Sequence, residues 1–247
     1  MKYFFQISYR GTNYHGWQRQ LSAISVQQVI EDTMSKVLRQ DIIVTGCGRT
    51  DTGVHASQYF FDTVIQEYPE YDLVWRLNKV LPDDISILSV IPVEIKTHAR
   101  YDAISRSYAY YFHTQKNPFV ALTSTLVDHD NLGVEMMQAA LDLIMENNDF
   151  RSFCKTPDHH NTTVCHITYA QLSQVDKRRF KIDITANRYL RSMIRIIAHR
   201  VIEVGSGKLS LSKLRDYFNK GNDTEQIVMA PPQGLFLTDV VYPFDTA

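Results

Sequence analysis

Apolar positions in the first part of the chain alternate between the two-residue period of a strand and the spacing of a helix. Strands are predicted at residues 2–9, 41–47, 58–64 and 85–93. The first helix is predicted to begin after Ser25, because Ser25 and Gln28 have the spacing of a capping box. A shorter helix is predicted from Leu73 and is stopped by Pro82. This order of strand, helix, two strands, helix and strand is that of a ferredoxin-like unit.

The second part of the chain repeats this order and adds one helix. Strands are predicted at residues 105–114, 163–175, 179–186 and 234–242, and helices at 132–145, 188–204 and 211–218. The first of these helices has its predicted apolar stripe at Met136, Ala140, Leu143 and Ile144. Asn187 is the predicted N-cap of the second helix.

The predicted architecture is therefore α+β, with two ferredoxin-like halves, mainly antiparallel sheets and a central cleft. The first half covers residues 1–98 and the second covers residues 99–247, with the connection near residues 94–104. Two sheets placed side by side leave a cleft between them, and clefts of this kind are common places for binding sites.

Composition adds the expectation of an ordinary globular protein. The chain has 247 residues, of which 44% are hydrophobic and 21% are charged. It has no apolar run near the ~20 residues that span a bilayer and no secretion signal, so a cytoplasmic location is expected. Cys47, Cys154 and Cys165 lack CxxC spacing and are interpreted as reduced thiols, so no metal site is expected. No phosphate-loop or dinucleotide motif occurs, so no cofactor is expected.

The charge of the chain is nearly balanced overall but unevenly distributed. The net charge of −1 argues weakly against a nucleic-acid partner. Residues 176–200, however, contain eight Lys or Arg against two Asp. On the predicted helix 188–204, one face carries Arg188, Arg191, Arg195 and His199. This face is either a solvated surface or a cationic wall that binds phosphate or holds a carboxylate in its charged form.

The segment between the second and third predicted strands holds the densest set of reactive side chains. Residues 46–56 read Gly-Cys-Gly-Arg-Thr-Asp-Thr-Gly-Val-His-Ala. Glycines allow sharp turns and the close approach of a ligand, and a loop between two strands can present Asp51 rigidly to a cleft. The alternative interpretation is an Asx-turn, in which Asp51 caps its own loop.

Tyrosines cluster on the predicted strand 105–114. Alternation along the strand sends Tyr108 and Tyr110 to one face of the sheet and Tyr111 to the other. Such side chains either pack in a half-buried layer or, where they are exposed, stack on an unpaired base.

Seven segments, taken together and in order, resemble the motifs of the tRNA pseudouridine synthase A family. The segments are Gly16-Trp17-Gln18-Arg19-Gln20; Gly48-Arg49-Thr50-Asp51-Thr52-Gly53-Val54-His55-Ala56; Arg76-Leu77-Asn78 with Leu81-Pro82 and Asp84-Ile85; His98-Ala99-Arg100 with Arg106-Ser107-Tyr108-Ala109-Tyr110; Asp149-Phe150-Arg151-Ser152-Phe153-Cys154; Met193-Ile194-Arg195; and Ala230-Pro231-Pro232-Gln233-Gly234-Leu235. The resemblance extends through nearly the whole chain.

This resemblance implies an enzyme that isomerises uridine to pseudouridine in tRNA without a cofactor. It implies three catalytic residues: Asp51 as the nucleophile, Tyr108 packed on the target uracil, and Arg195 paired with the aspartate. Substrate contacts are implied for Tyr108, Arg49, His55, His98 and Arg100. Bacterial members act as homodimers on uridines of the anticodon stem-loop, at tRNA positions 38 to 40.

Three substitutions depart from the family pattern. Thr52 replaces an Ala beside the nucleophile, Cys165 stands where an Arg is usual, and His199 stands where a Gly is usual. The missing Arg removes one expected RNA contact, and the last two changes are expected to bear on substrate choice.

Three other functions fit parts of the sequence. A non-catalytic RNA-binding protein with two RRM-like halves would need exposed aromatic and basic residues, but the usual RRM motif is not apparent. A glycosidase usually needs two opposed carboxylates, whereas the signature loop supplies only Asp51. A purely structural ferredoxin-like protein would make the set of motifs a coincidence.

Overall fold

The computed structural model describes residues 1–129, 131–219, 227–244 and 246, and these form an α+β fold with mostly antiparallel strands, as expected. The chain divides into two compact units. The first unit comprises residues 1–104 and 236–247, and the second comprises residues 105–235. Within the described residues, no helix is both long and apolar enough to cross a membrane.

The first unit is built around strand β1. Its elements are β1 (Lys2–Tyr9), α1 (Val26–Leu38), β2 (Thr45–Gly46), β3 (His55–Val64), α2 (Leu73–Asn78), β4 (Ile85–Val93) and, from the end of the chain, β9 (Leu235–Val241). Strand β1 pairs antiparallel with both β3 and β4, and β2 pairs antiparallel with β3. Strand β9 lies parallel to β3, with His55 opposite Phe236 and Ala56 opposite Leu237.

Aromatic side chains fill the core of this unit. Phe5 on β1 lies opposite Phe61 on β3, and their rings stack with centroids 4.9 Å apart. Trp17, from the loop after β1, stacks on Tyr59 with centroids 4.1 Å apart. Offset ring pairs of this kind add to the free energy gained from burying their apolar area. The loop that contains Trp17 is therefore anchored in the core rather than lying loosely on the surface.

Helix α1 begins where the capping box predicted. The hydroxyl of Ser25 accepts a hydrogen bond from the Gln28 backbone N–H at 3.2 Å, which satisfies one of the free donors of the first turn. Val26, Ile30 and Met34, spaced four residues apart, are buried.

The strand predicted at residues 41–47 is wrong for most of its length, because only Thr45–Gly46 pairs with β3. The backbone N–H groups before it are used by side chains of α1. Ile42 N–H donates to the Ser35 hydroxyl at 3.0 Å, and Val44 N–H donates to the Glu31 carboxylate at 3.1 Å. A donor bound to a side chain is no longer available to a neighbouring strand.

The second unit is built around strand β8. Its elements are β5 (Ser105–His113), β6 (Thr125–Leu126), α3 (Val134–Met145), β7 (Ile167–Asp176), β8 (Arg179–Ala186), α4 (Met193–Gly205) and α5 (Leu211–Asn219). Strand β8 lies between β5 and β7 and is antiparallel to both, while β6 is parallel to β5. Asp176 closes the turn between β7 and β8, because its carboxylate accepts the N–H groups of Arg178 and Arg179 at 2.9 Å each.

The apolar stripe predicted for α3 is correct except at its first position. Met136 is 46% exposed, whereas Met137 is fully buried. Met137 packs closely against Gly205 of α4, where a Cβ on the glycine would lie 2.4 Å from the methionine Cγ. Met137, Ala140 and Ile144 follow the i, i+3, i+7 spacing of a single buried face, and Met136 falls beside it.

The helix predicted at residues 188–204 is wrong in its first turn, because α4 begins at Met193. Ser192 has a left-handed backbone with φ 62°, which interrupts a right-handed helix. The N-cap position is occupied by Ser192 rather than by Asn187 as predicted. The Asn187 side chain accepts the His166 N–H at 2.9 Å. Arg188 and Arg191 therefore lie outside the helix, and the prediction that they share a helical face with Arg195 is wrong.

The two compact units do not coincide with the predicted halves at residue 98. Residues 99–104 belong to the first unit, and so do residues 236–247, because β9 pairs with β3. Whether the two halves act as separate domains stays a prediction.

Candidate active site

Asp51 lies in the loop between β2 and β3, and the loop after β1 holds it in place. The Trp17 N–H donates to the carbonyl oxygen of Thr50 at 3.3 Å, and the Gly53 N–H donates to that of Tyr14 at 3.2 Å. One contact on each side of Asp51 thus ties the backbone of this loop to residues far earlier in the sequence. Asp51 is half-buried, and the attachment of its backbone restricts where its carboxylate can lie.

Side chains add to this attachment. The Tyr9 and Thr50 hydroxyls share a buried hydrogen bond of 2.9 Å, and the Tyr59 hydroxyl donates to the Gly48 carbonyl oxygen at 2.5 Å. The Val54 N–H donates to the Asp51 carbonyl oxygen at 3.1 Å, so the turn at Asp51 is closed by the backbone.

Glycine is required where the two loops meet. Gly16 has φ +80°, and a Cβ there would lie 2.3 Å from the Thr50 carbonyl oxygen. At Gly11 a Cβ would lie 1.9 Å from the Val54 carbonyl oxygen. Either side chain would push the Asp51 loop away, because the opposing atoms are backbone. The glycine of the Gly16-Trp17-Gln18 motif therefore packs against the Asp51 loop, a link that sequence reasoning missed.

His55, expected to contact substrate, lies in the interior of the first unit. It is fully buried, its Nδ1 accepts the Gly11 N–H at 3.0 Å, and its ring lies 4.5 Å from that of Phe236. An imidazole nitrogen accepts a hydrogen bond only when it carries no proton. The geometry fits a residue that ties β3 to the loop after β1, and the predicted substrate contact stays a prediction.

Arg49 and Arg100, two expected RNA contacts, come together at one pocket of the first unit. Both side chains are exposed and line a cavity of about 210 Å³. The other lining residues are Trp17, Gln18, Gln27, Val44, Thr45, Gly46 and Gly48. No acidic residue lines this pocket, so its charge is positive.

The segment around Arg100 is fixed by buried groups. The Ala99 N–H donates to Asp62 at 2.8 Å, and the Tyr242 hydroxyl donates to the Ala99 carbonyl oxygen at 2.6 Å. Asp62 is 4% exposed and forms an ion pair of 2.9 Å with Lys2. A buried carboxylate is stable only when it is paired and hydrogen-bonded, and Asp62 is both. Sequence reasoning missed Asp62, because nothing in its local pattern marks it.

His98 belongs to the same segment. Its backbone N–H donates to Asp102 at 2.8 Å, and its Nδ1 accepts the Arg100 N–H at 3.1 Å. Its ring lies 4.3 Å from that of Tyr101. These contacts place His98 beside the backbone of Arg100, where it shapes the turn that carries the arginine.

Tyr108 lies on β5 of the second unit and packs against Tyr189. The two rings are nearly perpendicular, at 86°, with centroids 5.1 Å apart. The Tyr189 hydroxyl lies 2.9 Å from the Ile184 carbonyl oxygen and 3.1 Å from that of Arg106. Burial raises the pKa of Tyr189 well above its usual value, so its ring stays neutral. Tyr189 thus supports Tyr108 from one side, a role that the sequence did not indicate.

Arg195 lies in the first turn of α4 and is fixed to Ala230. Its Nε donates to the Ala230 carbonyl oxygen at 2.8 Å, and the Ala230 N–H donates to the Arg195 carbonyl oxygen at 2.9 Å. Burial raises the pKa of Tyr110 to about 12, an effect opposed by its bond to Thr125 and by the charge of Arg195. The Tyr110 hydroxyl donates to the carbonyl oxygen of Pro231 at 3.0 Å, next to the Ala230 that holds Arg195, so Arg195 lies near Tyr110. By strand alternation, Tyr108 shares a face of β5 with Tyr110.

Several of the basic residues in the stretch 176–200 are paired with carboxylates. Arg179 pairs with Asp176, Lys181 with Asp183 at 2.8 Å, and Arg200 with Glu203 at 2.7 Å. Within the described residues, no ion pair is formed by Lys177, Arg178, Arg188 or Arg191. The cationic surface is consequently smaller than the sequence count indicates.

Cys165 and His199 are the two titratable side chains among the positions that depart from the family pattern, and burial favours the neutral form of both. Cys165 is fully buried, and burial raises the pKa of its thiol to about 11. Burial lowers the pKa of His199, an effect opposed by Glu203, whose Oε1 lies 3.4 Å from the His199 Nε2. Cys47, Cys154 and Cys165 are all free thiols in the interior. Cys165 therefore lacks the positive charge that the usual arginine would bring to a phosphate.

Known proteins resemble this chain along almost its whole length. The model of a family described as tRNA pseudouridine synthase matches residues 6–102 and 147–243. A protein named tRNA pseudouridine synthase A from Porphyromonas gingivalis is 40% identical over 99% of this chain and 98% of its own. Proteins of the same name from Azobacteroides pseudotrichonymphae and Bacteroides fragilis are each 38% identical over 98% of this chain, covering 97% and 96% of their own lengths.

Proposed function

This chain belongs to the tRNA pseudouridine synthase family and isomerises uridine to pseudouridine in tRNA, and we propose that its targets are the uridines of the anticodon stem-loop at tRNA positions 38, 39 and 40. We further propose that Asp51 is the nucleophile. The observation that carries this assignment is the attachment of the Asp51 loop to the loop after β1, through Thr50 and Gly53. A nucleophile must meet its target atom in one geometry, and this double attachment supplies it.

The reaction itself needs no added group. The bond between N1 of uracil and C1′ of ribose breaks, the base turns, and C5 joins C1′. C5 gives up its proton and N1 gains one, so the product is an isomer. The Asp51 carboxylate attacks either C1′ of the sugar or C6 of the base, and it is released when the new glycosidic bond is complete.

The target nucleotide must leave its stack before the carboxylate can reach it. Enzymes that act on a base extrude it from the helix into a pocket. We assign Arg49 to the space that the base vacates, since its side chain is exposed beside the Asp51 loop. Tyr108 covers the extruded uracil, and its perpendicular contact with Tyr189 holds the ring in place for stacking. A covered base is also protected from water, which would hydrolyse a reactive intermediate.

Arg195 is assigned to the stabilisation of charge at the reacting carboxylate. Its guanidinium is held at Nε by the Ala230 carbonyl oxygen, so its position is set before substrate binds. A fixed cation favours the anionic form of a nearby carboxylate and costs no reorganisation during the reaction.

The two halves are proposed to be ferredoxin-like, and the protein is proposed to act as a homodimer in the cytoplasm. Strand pairing in the first unit supports the first point: β1 lies between β3 and β4, and β2 pairs with β3, which are the strand neighbours of a βαββαβ unit. Family membership supports the other two. The mass of the purified protein in solution, measured by light scattering, tests the dimer.

A pseudouridine-specific chemical map of tRNA tests the function directly. Unmodified tRNA is incubated with the protein, and each modified position is read as a reverse-transcription stop. We expect stops at positions 38, 39 or 40. A protein that only binds RNA would leave the map blank, and a glycosidase would release free uracil. Modification confined to another part of the tRNA would overturn the anticodon assignment while leaving the reaction intact.

A further inference from the structure

The segment that binds the Arg195 guanidinium, at Ala230, is itself attached to β5 by a tyrosine side chain. The two residues after Ala230 are prolines, which have no N–H to donate to a neighbouring strand. The attachment uses an acceptor instead, because the Tyr110 hydroxyl donates to the Pro231 carbonyl oxygen at 3.0 Å. Tyr110 lies on β5 and is fully buried. This bond therefore joins the interior of the second unit to the segment that holds Arg195.

A neighbouring hydroxyl sets the direction of this hydrogen bond. The Thr125 hydroxyl on β6 lies 2.8 Å from the Tyr110 hydroxyl, and Thr125 is 4% exposed. The Tyr110 hydroxyl has one proton and a carbonyl oxygen can only accept, so that proton is used at Pro231 and Thr125 donates to Tyr110. Since burial raises the pKa of Tyr110 to about 12, the donated proton is present throughout the neutral range.

The two prolines couple the Pro231 carbonyl to the Ala230 carbonyl. The two groups are separated by the φ and ψ angles of Pro231, which are −55° and 145°. The ring of Pro231 restricts φ to about −65 ± 15°, and the following Pro232 restricts ψ to about 120–160°. Both torsion angles are therefore held, and the direction of one carbonyl largely determines the direction of the other.

The Ala230 carbonyl in turn holds Arg195. Its oxygen accepts from the Arg195 Nε at 2.8 Å, and the Ala230 N–H donates to the Arg195 carbonyl oxygen at 2.9 Å. The side chain and the main chain of Arg195 are thus both bound to one residue, so a rotation of the Ala230 carbonyl would move the guanidinium relative to α4. Every contact from Tyr110 to Arg195 lies within the second unit.

We propose that Tyr110 is a positioning residue for Arg195, because its hydroxyl fixes the Pro231 carbonyl and, through the rigid pair of prolines, the Ala230 oxygen that binds the guanidinium. A tyrosine that served only to pack the core would need its ring alone. The inference rests on the proposed role of Arg195 in stabilising charge at the reacting carboxylate.

Tyr110→Phe tests the inference, because it removes the hydroxyl and keeps the buried ring. The single-turnover rate at saturating enzyme should fall about tenfold, which is less than the ~100-fold that an ångström of misplacement can cost. The Kd for tRNA should stay within about twofold of the wild type, since Tyr110 is fully buried. In an Arg195→Ala background the same substitution should change the rate by less than about twofold, because no guanidinium is left to misplace.

Ser124→Ala is the matched control. Ser124 is 4% exposed, and its hydroxyl is hydrogen-bonded to the His113 Nδ1 at 2.8 Å. The variant loses a buried hydroxyl bond beside β5, so its melting temperature should fall about as far as that of Tyr110→Phe, by a few degrees. Its single-turnover rate should equal that of the wild type, whereas a general loss of stability would lower both rates alike.

Gly234→Ala displaces the same segment without removing a hydrogen-bonding group. A Cβ there would lie 2.5 Å from the Tyr111 carbonyl oxygen and 3.0 Å from the Tyr110 Cζ, so the segment must shift relative to β5. This variant should also lower the single-turnover rate with little change in Kd, and again only when Arg195 is present. It carries the test if Tyr110→Phe fails to fold.

Two results would overturn the inference: a single-turnover rate in the folded variant within about twofold of the wild type, or an equal loss of rate in the wild-type and Arg195→Ala backgrounds. Thermal unfolding shows whether each variant is folded. Failure of the proposed function gives a different result, because Arg195→Ala alone would then leave the single-turnover rate unchanged.

Discussion

The Asp51 loop and the Arg195 helix position their side chains by opposite means. The Asp51 loop has no regular structure of its own and is held by bonds from a second loop, at Thr50 and Gly53. Arg195 lies on a regular helix, and one neighbour, Ala230, fixes its guanidinium. A loop of the first kind depends on contacts from a distant part of the chain. A helix of the second kind depends mainly on its own hydrogen bonds.

The difference teaches where each region is vulnerable. Steric space limits substitution beside the Asp51 loop, because Gly11 and Gly16 lie too close to its backbone atoms to carry any side chain. At Arg195 the charge of the side chain matters more than space, because the helix is held by its own backbone hydrogen bonds. Substitutions at the two regions should consequently separate loss of fold from loss of chemistry.

The largest effect is expected when the charge of the loop is removed without changing its shape. Asp51→Asn should lower tritium release from C5-labelled uridine in tRNA by more than about a thousandfold, as loss of a nucleophile does. Its melting temperature should stay close to that of the wild type, because Asn has the shape of Asp and the loop contacts at Thr50 and Gly53 do not involve the side chain of residue 51. Activity within tenfold of the wild type would exclude Asp51 as the nucleophile.

Removing the helix cation should give the next largest effect. Arg195→Ala should reduce the single-turnover rate at saturating enzyme by about a hundredfold or more, the scale reported for loss of one preorganised donor. Arg191→Ala is the control: it is exposed and outside α4, so it should only weaken tRNA binding and flatten the salt dependence by about one unit. If Arg195→Ala lost affinity with an unchanged single-turnover rate, Arg195 would be an RNA contact instead.

A packing change that leaves every catalytic side chain in place should have a smaller effect on rate. Gly16→Ala should lower activity about a hundredfold at most, because an ångström of displacement can cost that much. It should also lower the free energy of unfolding by about 2–5 kcal/mol through strain and overpacking.

Gly207→Ala separates these two causes. Gly207 also has a positive φ, of +73°, but a Cβ there would meet nothing within 4 Å. It should cost only about 1–2 kcal/mol of backbone strain and leave activity unchanged. Equal losses of stability and of activity in both glycine variants would show that contact with the Asp51 loop is unimportant.

The smallest effect is expected from the Tyr108 hydroxyl. Tyr108→Phe keeps the ring and should retain activity within about threefold, whereas Tyr108→Leu should lose about tenfold, as base–aromatic stacking is worth ~1–3 kcal/mol. A rapid-quench search for a covalent adduct locates the affected step. Accumulation of an adduct in Tyr108→Phe would instead assign the hydroxyl to removal of the C5 proton, and wild-type rates in both variants would place Tyr108 outside the site.

Sequence patterns alone determined many of the regular elements and identified the motifs. The strands at residues 85–93 and 179–186 match β4 and β8 residue for residue, and Ser25 caps α1 as expected. These succeeded because a strand or an N-cap depends on residues close together in sequence. The family could be recognised from motif order for the same reason, since each motif is a local string.

Only the tertiary structure decided what distant residues do to one another. The start of α4, the shortness of β2 and the burial of His55 each depend on partners outside the local sequence. The attachment of Pro231 depends on Tyr110, 121 residues away. Periodicity describes which face of an element is apolar, but not which buried donor finds which acceptor. Every buried polar group must be satisfied by some partner, and that choice is made by the fold as a whole.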